Sequence, residues 1–204
     1  MALVLGKETI HRGSRCPLNE VAAVGERALG RQMRLLDSNS FGRRVRYKRM
    51  LTKSRNRPKL LAVSSGGGHW IQLMRVAPGF EGCDVVFVTV HESYRAQVPN
   101  NEFYVVNDAS RWSKCALVKS ACRLAWIVWK ERPDIVFSTG AAPGCLALRL
   151  GKMLGARTIW LDSIANVEKL SLSGHIIRRC ADLWLTQWAH LARPEGPHYA
   201  GSVL

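Results

Sequence analysis

The sequence predicts an α/β domain whose parallel sheet is covered by helices on both faces. Strand-like and helix-like segments alternate from Lys59 onward, and the strand-like segments are continuous apolar runs such as DVVFVTV. Continuous apolar runs indicate strands that are buried on both faces, as they are in parallel sheets. Three consecutive glycines after the first strand add the tight strand-to-helix turn that such sheets use at ligand sites. Together these features favour a Rossmann-like fold over residues 59–204.

Six strands and four helices are expected. In chain order the strands read LLAVSS, DVVFVTV, FYVV, DIVFS, TIWL and a final LWLTQW. One helix contains Trp70, Leu73 and Met74, and the others cover about 113–131, 145–154 and 175–180. Pro133 ends the second of these helices and Gly155 caps the third, because proline cannot continue a helix and glycine adopts the cap conformation easily.

Residues 1–58 are predicted to form a flexible basic arm that is separate from the domain. Residues 1–59 contain 15 Lys and Arg against 4 Asp and Glu, so +11 of the formal net charge of +15 lies there. Such an arm suggests an anionic partner surface, either membrane or nucleic acid. Apolar residues at helical spacing allow a basic amphipathic helix on a membrane. A disordered tail and a natural start at Met50 are the open alternatives.

Several classes of site and segment are not found in the sequence. The six cysteines form no CxxC pair and the six histidines no HxxxH or HExxH arrangement, so we expect no metal site and no bound cofactor. No apolar run of about 18 residues and no secretory signal is recognisable. Free thiols without an export signal favour a reducing, cytosolic setting.

The loop after the first strand is the main candidate for a ligand site. It contains Ser64, Ser65, Gly66, Gly67 and Gly68, and a helix follows. Glycines let the backbone approach a ligand, and the helix directs free N–H groups and the positive end of its dipole to the same place. We therefore predict a phosphate site. The alternative is that the glycines serve only to turn the strand into the helix.

His69 and Asp162 are the candidate catalytic residues. His69 lies at the mouth of the glycine loop, where it can accept a proton from an acceptor hydroxyl or bind a phosphate; helix capping or packing is the alternative. Asp162 directly follows a central strand and is the alternative base. Thr139, Gly140 and Ser163 also follow strands, and we predict that they line the same cleft.

The glycine pattern does not complete either common nucleotide motif. No GK[ST] follows, which excludes a P-loop, and Ile71 occupies the third glycine position of GxGxxG. Glu92, just beyond the second strand, keeps a dinucleotide-dependent oxidoreductase open as an alternative, because a ribose-binding acid is expected there. A nucleic-acid-binding protein is a second alternative, but the charge lies in the arm and no recognition helix is apparent, so no nucleic acid is expected as partner.

Four segments together resemble a known family. They are SSGGGHWIQL, Arg111 before the long helix, ERPDIVFSTGAAPG, and DSIANVEKLSLSGHIIRRCADLWLTQW with the tail HYAGSVL. The order and spacing resemble the acceptor-side, membrane-anchoring subunit of the two-part N-acetylglucosaminyltransferase that extends a dolichol-linked precursor. Its bacterial relatives in exopolysaccharide and capsule synthesis look most similar. The resemblance covers residues 59–204.

The resemblance implies the N-terminal half of a GT-B glycosyltransferase, with the UDP-sugar bound by a separate partner subunit. It implies that Gly66–His69 face the diphosphate and sugar of a lipid-linked saccharide acceptor, with Arg111 nearby. It also implies a peripheral location at the cytosolic face of a membrane, with a bacterial inner membrane favoured over the endoplasmic reticulum. Two departures stand out: a basic arm replaces the family's hydrophobic anchor, and Asp162-Ser163 replaces the usual Glu-Ser.

The long helix is a candidate membrane contact. Its segment CALVKSACRLAWIVWK is apolar nearly all round and carries Trp126 and Trp129, with Arg123 and Lys130 among its basic residues. Tryptophan favours the headgroup level, and basic side chains bind anionic lipid. The alternative is a helix buried against the sheet, and one face can serve each purpose.

Overall fold

The computed structural model describes residues 57–107 and 114–203. The basic arm predicted over residues 1–58 therefore lies almost wholly outside the described residues, and so does Arg111.

Seven parallel strands form one sheet in the order β3-β2-β1-β4-β5-β6-β7. The bounds are β1 Lys59–Val63, β2 Asp84–Thr89, β3 Glu102–Val105, β4 Ile135–Ser138, β5 Arg157–Leu161, β6 Leu183–Thr186 and β7 His198–Tyr199. Every pairing between neighbours is parallel. The parallel sheet that the apolar runs predicted is confirmed.

Four α-helices and three 3₁₀ helices connect the described strands. The α-helices are α1 Gly68–Val76, α2 Lys114–Glu131, α3 Ala141–Met153 and α4 Leu172–Ile177. The 3₁₀ helices are Ala77–Phe80, Glu92–Gln97 and Ala189–Leu191.

The sheet separates two apolar cores. Trp70 and Leu73 of α1 pack on one face with Phe80, Phe87 and other side chains. The opposite face carries side chains from three helices, namely Leu124, Ile127 and Val128 of α2, Ala147 and Leu148 of α3, and Ile177 of α4. Neighbouring residues of β1 alternate between these cores: Leu60 belongs to the first and Leu61 to the second, and both are fully buried. Helices on both faces, as predicted, give the Rossmann-like fold.

The structure corrects three predicted elements. Helix α3 begins at Ala141 and not near Cys145, because Pro143 falls in its first turn, where no backbone N–H is required. Helix α4 begins at Leu172, because the Ser171 side chain caps it by accepting the Gly174 N–H at 2.8 Å. The predicted final strand is followed by a seventh, β7, which pairs with β6.

The strand order places a topological switch point between β1 and β4. The chain builds outward from β1 through β2 to β3 on one side, and from β4 through β7 on the other. The loops that follow β1 and β4 therefore leave the same edge of the sheet side by side. In open parallel sheets this crevice is where ligands bind.

A charged cluster ties α2 to the amino end of β1. The Lys59 Nζ lies 2.8 Å from Glu131 Oε2, and the Tyr104 hydroxyl donates to Glu131 Oε1 at 2.6 Å. Burial would raise the pKa of Glu131, but the hydrogen bonds from Lys59 and Tyr104 and the nearby positive charges outweigh it and lower that pKa. Burial and the Glu131 hydrogen bond raise the pKa of Tyr104.

We expect Glu131→Gln to lower the free energy of unfolding by roughly 1–3 kcal/mol at pH 7, because it removes the charged partner of a largely buried ammonium. Since the folded pKa lies below the ordinary value of 4.5, the stabilisation is complete above that value and is lost as pH falls through the folded pKa. Urea unfolding of the full chain at neutral and acid pH measures this. The difference in free energy of unfolding between wild type and Glu131→Gln should disappear at acid pH.

Glu195→Gln is the matched control, because Glu195 is exposed. It should leave the free energy of unfolding nearly unchanged at both pH values. If Glu131→Gln lowered the free energy of unfolding equally at neutral and acid pH, the stabilisation would not come from the charge of Glu131.

Candidate functional site

The three glycines of the loop differ in what constrains them: a close ring contact at Gly66, a positive φ at Gly67 and open space at Gly68. Gly67 has φ 64° and its N–H donates to the Tyr94 hydroxyl at 3.0 Å. A Cβ on Gly66 would lie 2.4 Å from Cδ2 of His91. A Cβ on Gly68 would meet nothing within 4 Å, and Gly68 is not among the positive-φ glycines. A side chain at 66 would therefore displace the His91 ring and the positive φ at 67 favours glycine, whereas at 68 there is open space beside the N-terminus of α1.

Ser64 lies directly beneath this loop. It is fully buried, and its Oγ has no hydrogen-bond partner among the described residues. Continuing the alternation of Leu60 and Ala62 along β1 places it on the α1 face of the sheet. The carbonyl of Ser65 accepts from Thr89 Oγ1 at 3.4 Å, which ties the loop to β2. A buried hydroxyl without a partner is costly and often marks a place where a ligand or water completes the site.

His69 is joined to the loop after β4 by two reciprocal hydrogen bonds. Its Nδ1 lies 2.9 Å from the Thr139 carbonyl oxygen, and the Thr139 hydroxyl donates to the His69 carbonyl at 2.8 Å. The ring rests on Gly140, where a Cβ would lie 2.4 Å from His69 Cε1. Gly140 also has φ 139°, which disfavours a side chain. The predicted residues His69, Thr139 and Gly140 are thus brought together at the switch point.

The Thr139 carbonyl determines which nitrogen of His69 carries the proton. A carbonyl oxygen can only accept, so we assign the hydrogen to Nδ1. The neutral ring then has its lone pair on Nε2, which makes no hydrogen bond to any residue that the structure describes. An imidazole fixed through one nitrogen with the other available as acceptor is the arrangement of a general base.

Asp162 has a different environment. Its Oδ1 accepts from the Ser163 N–H and from Asn166 Nδ2, both at 2.9 Å, and its Oδ2 accepts from the Ser171 N–H at 3.1 Å. It is almost completely buried. Three donors on two oxygens describe a carboxylate that holds the loop after β5 and the start of α4. This geometry favours a structural role, whereas the lone pair of His69 favours a chemical one.

Two buried glutamines, Gln72 and Gln187, link α1 to the loops after β5 and β6, and neither was among the predicted site residues. Gln72 Nε2 donates to Ser163 Oγ at 3.3 Å, and Gln187 Nε2 donates both to Gln72 Oε1 at 3.3 Å and to the Asp162 carbonyl at 2.9 Å. Gln187 Oε1 accepts from the Val203 N–H at 3.0 Å. The pair connects α1, the loop after β5 and the chain near residue 203. Only the strand-end position of Gln187 signalled it in the sequence.

An open groove of about 490 Å³ adjoins the glycine loop on the α1 face. It is lined by Gly67, Trp70, Ile71, Met74, Arg75, Tyr94 and Gln97. Glu92 is the acid that allowed a dinucleotide-dependent enzyme as an alternative. Its Oε1 forms an ion pair with Arg95 Nε at 2.5 Å.

The residues predicted to contact membrane form one aromatic and basic patch on α2. Trp126 and Trp129 are 42% and 60% exposed, while Leu124, Ile127 and Val128 on the other side of the helix are buried. The Arg123 guanidinium and the Lys130 ammonium lie 5.0 and 5.1 Å from the Trp126 ring centre. One face of α2 is therefore buried in the core, as one alternative predicted, and the other face is exposed, aromatic and basic.

The described part of the chain contains neither a membrane-spanning helix nor a cluster of metal ligands. Within residues 57–107 and 114–203, no helix has the length and apolarity needed to cross a bilayer. The same residues contain no cluster of three or more His, Cys, Asp or Glu side chains suited to a metal ion.

Sequence comparison identifies related proteins. The family model described as "Oligosaccharide biosynthesis protein Alg14 like" matches residues 98–203. The UDP-N-acetylglucosamine transferase subunit ALG14 of Rattus norvegicus is 24% identical over 164 residues, which is 65% of this chain and 76% of the rat protein. The corresponding subunit of Schizosaccharomyces pombe is 39% identical over 67 residues, 29% of this chain and 31% of that protein.

Solved structures show the same fold. MurG of Acinetobacter baumannii superposes with a TM-score of 0.58 at 12% identity, covering 71% of this chain and 45% of MurG. The UDP-N-acetylglucosamine 2-epimerase of Rickettsia bellii superposes with a TM-score of 0.56 at 14% identity. The match covers 72% of this chain and 45% of the epimerase. The chain thus spans less than half of either structure. With a family model that matches more than half of its residues, the chain belongs to the Alg14-like family of oligosaccharide biosynthesis proteins.

Proposed function

We propose that this chain is the acceptor-binding, membrane-recruiting subunit of a two-chain glycosyltransferase. The enzyme transfers N-acetylglucosamine or a related sugar from a UDP-sugar to a lipid-linked saccharide, and a separate subunit binds the UDP-sugar. The observation that carries the proposal is the position of His69, with its Nε2 lone pair available, beside the open glycine loop at the switch point. The family's curated relatives, whose names describe subunits of a UDP-N-acetylglucosamine transferase, support it.

The glycine loop suits the diphosphate of the acceptor. The open space at Gly68 admits an anion to the N-terminus of α1, where unpaired N–H groups and the helix dipole stabilise negative charge. Ser64, with its unpartnered hydroxyl, lies under the same loop. A diphosphate bound there would place the sugar attached to it at the mouth of the cleft, close to His69.

His69 is the proposed general base. The acceptor hydroxyl attacks the anomeric carbon of the donor sugar, the bond from that carbon to the UDP phosphate oxygen breaks, and the hydroxyl proton passes to His69 Nε2. The Thr139 carbonyl stabilises the resulting imidazolium, because it already accepts the Nδ1 hydrogen. No metal or cofactor is required for this step in the proposal.

Membrane recruitment is assigned to the aromatic and basic patch of α2 together with the basic arm. The patch displays Trp126 and Trp129 beside Arg123 and Lys130 on a helix whose opposite side is anchored in the core. Tryptophan at headgroup depth and cations against anionic lipid give peripheral attachment at a cytosolic face. The two ALG14 subunits named above come from eukaryotes, and location at a bacterial inner membrane stays a prediction.

We expect the isolated full chain to bind UDP-N-acetylglucosamine more weakly than millimolar and to transfer no sugar, because the proposal assigns that ligand to the partner. Isothermal titration calorimetry with the UDP-sugar measures this. Micromolar binding by the isolated chain would overturn the two-chain proposal.

With the partner present, we expect His69→Ala to lower kcat on a lipid-linked acceptor by roughly 10²-fold or more, the scale of losing a general base. His69→Gln is the matched variant, since its amide retains a donor for the Thr139 carbonyl but cannot take up a proton. It should be as inactive as His69→Ala while melting near the wild-type temperature. Asp162→Asn is the comparison. If His69→Ala were near wild type and a folded Asp162→Asn inactive, the acid would be the base.

We expect the full chain to bind phosphatidylglycerol vesicles in a salt-sensitive manner, because each basic residue near an anionic surface contributes about 1 kcal/mol within a Debye length. A chain beginning at Met50 should be released at lower salt. The double variant Trp126→Ala/Trp129→Ala should weaken the part of the vesicle binding that persists at high salt. Co-sedimentation at increasing salt measures both effects.

Tyr199→Ala provides the control for the tryptophan variants, because Tyr199 is a comparably exposed aromatic residue on β7, away from α2. It should bind vesicles as wild type does. Full-length protein that stays in solution at low salt would contradict direct membrane contact.

A further inference from the structure

His91 lies on the glycine loop from the side opposite His69. It follows β2, and its ring is packed so closely on Gly66 that a Cβ there would lie 2.4 Å from Cδ2 and 2.6 Å from Nε2. In the sheet β1 lies between β2 and β4, and His69 reaches toward the β4 loop at Thr139. The loop after β1 is thus flanked by an imidazole on each side, and each ring rests on a glycine.

Packing holds the His91 ring although the residue is exposed. The ring meets Tyr94 edge to face, with centres 5.6 Å apart and an angle of 83°. Tyr94 stacks on Trp70 at 4.8 Å and accepts the Gly67 N–H through its hydroxyl. Trp70 in turn donates to Gln97 at 2.8 Å. His91 therefore lies at the exposed end of an aromatic cluster that is itself hydrogen-bonded to the loop backbone.

Neither ring nitrogen of His91 has a hydrogen-bond partner among the described residues. The adjacent acid, Glu92, forms an ion pair with Arg95 and not with the His91 imidazole. Both nitrogens of this exposed ring are therefore available to a ligand. Ser64, fully buried beneath the same loop with an unpartnered Oγ, is an independent sign that the site is completed by something polar.

We propose that His91 is a binding residue of the glycine loop that donates a ring N–H to the diphosphate of the lipid-linked acceptor. The proposal rests on the proposed function, which places that diphosphate at the loop. The two histidines then have different tasks. His69 has one nitrogen occupied by Thr139 and provides a base, whereas His91 has both nitrogens available and binds the anion.

The test uses inorganic pyrophosphate as the probe and the full chain labelled with ¹⁵N and ¹³C in its histidine rings. We expect the ring signals of His69 and His91 to shift with one saturation curve, while those of His175 and His198 stay in place. His91→Phe keeps an aromatic ring on Gly66 and Tyr94 but has no donor. It should weaken pyrophosphate binding about tenfold, the size expected for one hydrogen bond to a charged group.

His91→Gln restores an N–H donor and should recover part of the affinity, and His198→Ala is the control that should change nothing. Melting temperatures of all variants show that the loop is intact. Wild-type affinity in a folded His91→Phe would overturn the assignment of His91 and leave the acceptor site standing. Pyrophosphate that shifts neither His69 nor His91 would overturn the proposed acceptor site itself, and this assignment with it.

Discussion

The site depends on one reciprocal contact across the switch point. His69 and Thr139 exchange two hydrogen bonds, at 2.9 and 2.8 Å, between the helix that follows β1 and the loop that follows β4. These two segments are about 70 residues apart in the chain and become neighbours only because β1 pairs with β4. The contact fixes the orientation and the tautomer of the imidazole together, so the same bonds that join the two segments also leave Nε2 available for chemistry.

The sequence predicted the fold well because burial on both faces leaves a strong signal. Runs such as DVVFVTV indicated strands within a covered sheet, and the structure confirms the parallel sheet, all six predicted strands and helices on both faces. The start of α3 was predicted too late because glycine and proline, here Gly140 and Pro143, are typical of loops. Only the structure shows that this proline lies in the first turn of the helix. Strand β7 has two residues, too few for any periodicity to appear.

The candidate site was less predictable, since only part of it follows from strand ends. Strand ends pointed to His69, Thr139 and Gly140, and their association depends on a strand order that no local pattern reveals. Gln72 lies inside a helix, where an amide is unremarkable, and its importance arises from contacts with Ser163 and Gln187, which are distant in the chain. His91 gave no signal, because what distinguishes it is the glycine beneath its ring.

The two imidazole rings that rest on glycines carry a consequence for how this family can diverge. Gly66 cannot gain a side chain while His91 keeps its place, and Gly140 cannot do so while His69 keeps its own. A side chain gained at either glycine should therefore be accompanied by substitution of the histidine that rests on it. In a homologue without the ring at 91, residue 66 should be free to vary, whereas the positive φ at 140 should retain glycine even without the histidine.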